Sequence, residues 1–210
     1  MTKTNAFISN YFSGYKKLFP EVTEDEIRQY YEESKYGGYP EEPGGSIWES
    51  EGKSIYVLIR LLKPKNIIEI GNFLGRSSNH ILQAVEANGF GEITLLDIAE
   101  RLEYDHLHNR KFKRILDDSL HFLEIENLSY DLYIQDGCHE YNHVTKELEL
   151  ITLRTNNDFI IWAHDWFTVR PPQCEVKRAW DDHVHKFKSH TPLLDPVSNC
   201  GCVIAEYKKL

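Results

Sequence analysis

The sequence predicts an α/β fold: a mostly parallel sheet with helices on both faces, an antiparallel C-terminal edge, and an N-terminal helical appendage. Three observations carry that prediction. From residue 66 onward, short apolar runs alternate with amphipathic segments of helical period; most of the runs stop at a polar or acidic residue; and the tail reverts to a turn followed by an alternating run.

Taken in order, residues 1–48 read as the appendage and its connector, and residues 49–210 as the main domain. In "EVTEDEIRQYYEESKY" the acidic start places Thr23 as an N-cap and Glu26 three residues on, a capping-box pattern. The Gly and Pro residues of "GGYPEEPGG" make a turn-rich connector. Helical spacing resumes in "WESEGKSIYVLIRLLKP", where Ile55, Leu58, Ile59 and Leu62 share a face until Pro64 ends it. Then "NIIEIG", "EITLLDI", "KRILDD", "YDLYIQDG" and "DFIIWAHDW" read as strands, with "SSNHILQAVEAN" and "EYNHVTKELELITLR" as helices between them. In "PLLDPVSNCGCVIAEYKK" the turn before Val203 and Ile204 fits an antiparallel edge strand or a hairpin added to the sheet.

Bulk properties narrow the function. Against 24 Lys and Arg stand 33 Asp and Glu, a net charge of −9 whose averaged field repels phosphate backbones and anionic lipid, so neither nucleic acid nor a membrane is an expected partner. The opening residues lack the uninterrupted apolar core of a signal peptide and no stretch reaches membrane-spanning length, so a soluble, cytoplasmic protein is expected, with a homo-oligomer left open. Cys138, Cys174, Cys200 and Cys202 form no CxxC pair and are expected as reduced thiols; for Cys200 and Cys202 alternation along a terminal strand is a simpler account than zinc.

In an open parallel sheet, ligands sit beyond the carboxyl ends of the strands where the winding reverses. Glu69 with Gly71, then Asp97, Asp117 with Asp118, Asp136, and His164 with Asp165 occupy those ends and should gather around one pocket. The turn after the first strand, "EIGNFLGRSS", selects among ligands. A dinucleotide turn needs glycine where Phe73 and Arg76 stand, and a Walker loop needs a Gly-Lys-Ser/Thr ending that is absent. The Glu69 carboxylate is a poor neighbour for a diphosphate but suits a cationic ligand. S-adenosylmethionine (SAM) is such a ligand, with an ammonium, a sulfonium and no phosphate, and Asp97 falls where a carboxylate can accept both ribose hydroxyls.

Together, "IIEIGNFLGRSS", "LLDI", "DLYIQDGCHEYNHVTKELEL" and "IIWAHDW" resemble the class I SAM-dependent methyltransferases, specifically the small-molecule O-methyltransferase-like group with an E-I-G-x-x-x-G-x-S turn and a D-G-x-H-x-Y segment. The resemblance covers roughly residues 50 to 170 and implies the Rossmann-like fold of that class. It implies that Glu69, Gly71, Gly75 and Ser77 line the methionyl part of SAM, that Asp97 holds the ribose, and that Asp118 with Ser119 borders the adenine. Each has a structural alternative: glycine turns, Asp97 as a helix cap, Asp117-Asp118-Ser119 as the cap of "SLHFLEIEN". The group has a glycine pair before the fifth strand where this chain has Asn156-Asn157, a pair expected to keep the turn by adopting positive φ.

Methyl transfer to oxygen needs a nucleophile stripped of its proton. Asp136, His139, His164 and Asp165 supply two carboxylates and two imidazoles, enough for a base, a divalent cation, or both. By resemblance, His139 is the base, in a catalytic pair with Asp136, and Asp136 and Asp165, with His164 beside them, are the metal set; magnesium, another divalent cation, or none all remain open. A helix dipole at "EYNHVTKELEL" is expected to keep His139 neutral. His106, His108, His121, His183, His185 and His190 show no persuasive ligand spacing, a solvated helix face accounts for "AWDDHVHKFK", and among Tyr36, Tyr39, Trp48, Trp166 and Trp180 the position of Trp166 beside Asp165 favours it as an acceptor contact. The function expected is O-methylation of a small molecule or sugar; the alternative is a non-catalytic SAM-binding or scaffold protein of the same fold.

Overall fold

The structure, a computed structural model, describes residues 3–35, 47–101, 111–168, 174–195, 198 and 200–209. The connector "YGGYPEEPGG", including Tyr36 and Tyr39, and His106 and His108 lie outside them.

Seven helices and seven strands follow the order α1 (Lys3–Leu18), α2 (Glu24–Glu33), α3 (Glu49–Leu62), β1 (Asn66–Ile70), α4 (Arg76–Asn88), β2 (Glu92–Asp97), β3 (Lys113–Leu116), α5 (Ser119–Ile125), β4 (Leu132–Gln135), α6 (Tyr141–Arg154), β5 (Phe159–His164), α7 (Val176–His183), β6 (Ser189–Leu193) and β7 (Cys202–Tyr207) among the described residues. The strands form one sheet in the order β3-β2-β1-β4-β5-β7-β6. The first five run parallel, and β7 is antiparallel to both β5 and β6. The winding reverses between β1 and β4, which places the switch point at Ile70 and Gln135.

The period-two alternation of each strand splits the core between the two faces. On one side, Ile67, Leu95, Ile134, Trp162 and Ile204 meet the buried faces of α1 to α4; on the other, Ile68, Ile70, Leu96, Tyr133, Ile161 and Val203 meet α5, α6 and α7. Each such fully buried aliphatic side chain contributes roughly 1.5–3 kcal/mol. Because Glu69 alternates with Ile68 and Ile70, its side chain points toward α4 rather than into the second layer, and Ser78 of α4 donates a hydrogen bond to its Oε2.

Local signals explain the element boundaries. Thr23 caps α2 with the complete capping box, the Glu26 backbone N–H donating to Thr23 Oγ1 at 3.2 Å and the Thr23 N–H to Glu26 Oε2 at 3.0 Å. Helix α3 ends at Leu62, two residues before Pro64, with its C-cap Lys63 left-handed at φ 51°. In α1, Phe7, Tyr11 and Tyr15 recur every four residues and are buried; Tyr15 donates to the Ser54 carbonyl at 2.7 Å and Tyr11 to Asp195 at 3.2 Å, which ties the N-terminal helix to α3 and to the segment after β6.

Several expectations are corrected. The antiparallel edge is the hairpin β6–β7, with β6 outermost; β6 begins before the run that signals the hairpin, because the polar Ser189–Thr191 and Pro192, which an edge strand tolerates, conceal its pattern. "AWDDHVHKFK" is solvated on one side only: Asp181, Asp182 and His185 are exposed, but Trp180 is fully buried, His183 is buried with its Nδ1 2.8 Å from the Ala179 carbonyl, and helix α7 gives way to a short 3₁₀ turn at Val184–Lys186. Trp166 is a core residue, its ring 6.2 Å from that of Trp180. Asn156 and Asn157 are not among the positive-φ residues; the turn is held instead by the Asn157 amide, which donates to the carbonyls of Tyr130 and Asp158 at 3.1 and 2.8 Å.

Candidate active site

A cavity of about 470 Å³ opens at the carboxyl ends of β1, β2 and β4, within the range of small-ligand sites. Its floor includes Gly71, Asn72 and Phe73 of the turn after β1, while Gly75 lies off the wall. Gly71 has φ +87°, and a Cβ there would lie 2.2 Å from the Asp136 carbonyl oxygen, so only glycine lets the β1 and β4 ends approach this closely. Phe73 also has positive φ, 43°, which costs a non-glycine residue energy; Asp97 holds it, accepting the Phe73 N–H at 2.8 Å through Oδ2 and the Ala99 N–H at 3.0 Å through Oδ1. Each Asp97 oxygen keeps a further lone pair. Gly75, at φ +90°, ends the turn as N-cap of α4, and Ser77 in the first turn of α4 lines the cavity.

At the far wall, Asp118 lines the cavity and also caps α5, accepting from the N–H groups of Leu120 and His121. Ser119 donates to Glu147 Oε1 at 2.5 Å and lies 2.8 Å from His143 Nε2. The hydrogen bond to Glu147 pushes the His143 pKa up, against burial. His143 lines the cavity and was not singled out in the sequence. Its i, i+4 spacing from Glu147 on α6 was the available signal.

Asp136 and His139 line the near wall. His139 Nε2 lies 3.5 Å from Asp136 Oδ1 and 3.0 Å from Asp165 Oδ2. The hydrogen bond to Asp136, with the Asp165 charge, raises the His139 pKa despite burial. The expected dipole effect is thus outweighed: Glu140 is the N-cap of α6, His139 precedes it, and two carboxylates closer than the helix end favour imidazolium. Although burial disfavours its charge, Asp136 is held below the usual carboxylate range by His164 and His139. Asp165, left-handed at φ 59°, is likewise depressed against burial, chiefly by His164.

Not all the predicted residues meet at the cavity. Glu69 is fully buried behind the turn, off its wall; burial pushes its carboxyl up from 4.5 to about 7 against the Ser77 and Ser78 hydroxyls, and its Oε1 has no hydrogen-bond partner. His164 also stands off the wall. Its Nδ1 is 3.2 Å from Asp136 and its Nε2 points the other way, 3.0 Å from Glu51 Oε1. Asp136, His139 and Asp165 present one compact ligand set, and the foreseen trio is as close, with His164 Nδ1 3.2 Å from Asp136 and 3.6 Å from Asp165. Glu51 and Cys200 complete the cluster from distant parts of the chain, and nothing in the local sequence of either signals it. Burial pushes the Cys200 thiol up to about 11, so it is not a nucleophile at neutral pH.

The reversed winding at β1 and β4, the antiparallel β7 and this strand-end cavity define the fold of the class I methyltransferases. Residues 68–166 match a family model described as a methyltransferase domain. Over those residues the chain is similar to methyltransferase domains, and its fold is the one that class I methyltransferases share. Similar folds include an O-methyltransferase from Bacillus cereus solved with S-adenosylhomocysteine (SAH), at 14% identity, TM-score 0.62, covering 93% of this chain and 96% of that one. An O-methyltransferase of Streptomyces achromogenes involved in tomaymycin synthesis, solved with SAM, aligns at 13% identity and TM-score 0.64 over 100% of both chains. An SAH-bound methyltransferase of Podospora anserina aligns at 17% identity and TM-score 0.60 over 96% and 95%. No curated protein sequence matches the chain. No described helix is long and apolar enough to cross a membrane.

Proposed function

We propose that the chain is an O-methyltransferase that transfers the methyl group of SAM to a hydroxyl of a small molecule or sugar. One observation carries this reading: the residues suited to a nucleoside, Asp97, Asp118 and Ser119, and a carboxylate-flanked imidazole, His139, line the same cavity. Bound there, SAM supplies a methyl group made electrophilic by its sulfonium. Glycine backbone at Gly71 and Gly75 with Ser77 accommodates the methionyl end, Glu69 offsets its ammonium from behind the turn, Asp97 uses its spare lone pairs for the ribose, and Asp118 with Ser119 borders the adenine. The cavity volume fits such a ligand.

His139 takes the acceptor's proton, and Asp136 and Asp165 hold the ring in place and stabilise the imidazolium that forms. With His139 as a ligand instead of the base, the same three residues would make an oxygen-rich set that fits a hard divalent cation, which would lower the pKa of an acceptor hydroxyl. The net charge disfavours a nucleic-acid acceptor. Residues 1–48 serve as an appendage that narrows access for the acceptor; Ile47 already lines the cavity, with its carbonyl 3.2 Å from Arg76 Nη1.

Calorimetric titration with SAM, followed by mass-spectrometric screening of catechols, phenols and sugars with and without EDTA, tests the proposal. Saturable binding and a mass gain of one methyl on an oxygen are expected. Absence of binding at millimolar SAM refutes it, and binding without transfer to any acceptor favours the non-catalytic alternative.

A further inference from the structure

We infer that Glu51, His164 and Cys200 form a second metal centre, selective for a soft tetrahedral cation such as Zn²⁺ and distinct from the oxygen-rich set beside the cavity. Glu51 Oε1, His164 Nε2 and Cys200 Sγ come from α3, the end of β5 and the segment before β7, and all lie within 4.8 Å of one another. A tetrahedral zinc with bonds of about 2.0–2.3 Å sets its ligands roughly 3.4–3.6 Å apart. The observed separations, 3.0 Å from His164 Nε2 to Glu51 and 3.8 Å from His164 Nε2 to Cys200, bracket that spacing.

The surroundings have the features of a supported metal site. His164 Nδ1 faces the Asp136 carboxylate at 3.2 Å, the orientation in which a carboxylate fixes the tautomer and leaves Nε2 free to ligate. Glu51 is fully buried and held in place: the Trp48 N–H donates to its Oε2 at 2.9 Å, and Ser198 Oγ and the Gly201 N–H donate to its Oε1 at 2.7 and 3.2 Å. Cys200 donates to Asp165 Oδ1 at 2.8 Å and accepts from Thr168 Oγ1 at 2.8 Å. Binding releases the thiol proton and any proton on Nε2, and a sulfur ligand favours zinc over magnesium. Three protein ligands leave a fourth position for water. Asp136 and Asp165 then belong to both centres, as partners of His164 and Cys200 here and as ligands in the oxygen-rich set.

The test uses the full chain with Co²⁺ as a spectroscopic probe, in excess Mg²⁺. One equivalent of Co²⁺ is expected to give a thiolate-to-cobalt charge-transfer band that one equivalent of Zn²⁺ abolishes, that Cys200→Ser lacks, and that Cys138→Ser retains. X-ray absorption of the zinc-loaded wild-type protein, which needs no variant, should show a sulfur shell at about 2.3 Å. A wild-type zinc spectrum with no sulfur shell, or a cobalt band that survives in Cys200→Ser, overturns the inference. Neither readout depends on methyl transfer, so the centre and the proposed activity stand or fall separately.

Discussion

Replacing Glu69 by Gln isolates the electrostatic cost of the carboxylate behind the glycine turn. Burial raises Glu69 from 4.5 to about 7, with Asp136 and Asp97 adding to the rise, so the folded state holds this proton more tightly than the unfolded chain does. Because the folded state binds the extra proton, stability falls as pH rises from about 4.5 through about 7 and then levels off. Between pH 5 and pH 8 this one group removes about 2.5 kcal/mol of unfolding free energy. Gln is isosteric, keeps an acceptor for the Ser78 hydroxyl, and does not titrate. Urea unfolding of both proteins at the two pH values gives a double difference in which all other groups cancel. The wild type should lose about 2.5 kcal/mol more than Glu69→Gln, and the variant should be the more stable of the two at pH 8. Equal losses would show that Glu69 ionises freely in the folded chain and would remove the case for a buried anion waiting for the SAM ammonium. In calorimetry at pH 8 the same variant should bind SAM more weakly.

Three further outcomes follow from the site and its supports. Asp97→Asn leaves one of the Phe73 and Ala99 N–H groups without its carboxylate acceptor and should weaken SAM binding roughly tenfold, about 1–2 kcal/mol, by titration calorimetry. His139→Ala should slow methyl transfer by about 10²–10⁴ while SAM affinity is retained, since the imidazole acts on the acceptor's proton. Thr23→Ala breaks the capping box of α2 and should cost about 1 kcal/mol in urea unfolding with no change in SAM affinity.

The parallel sheet was legible because β1, β2, β4 and β5 are buried on both faces and read as continuous apolar runs closed by Gly or an acid. Asp97, Asp118, Asp136 and His139 were legible for the same reason, since strand ends converge whatever the loops do. The helix α1 was read only loosely, because its tyrosines are as compatible with surface as with core. The upward direction of the His139 pKa shift comes first from Asp136, three residues away, and then from Asp165, 26 positions further along and brought within 3.0 Å only by the β4–β5 pairing, which local sequence does not show. Glu51 and Cys200 were invisible because their partners lie on other strands and helices, and β6 was hidden by its proline.

The antiparallel insertion of β7 has a consequence for assembly. Because β7 lies between β5 and β6, the earlier-made β6 has no sheet neighbour of its own until β7 arrives. Reversal also brings the beginning of β7 level with the tip of β5, where Cys202 pairs with His164. Pairing of β7 with β5 therefore fixes the backbone of His164, whose ring lies between Asp136 and Glu51.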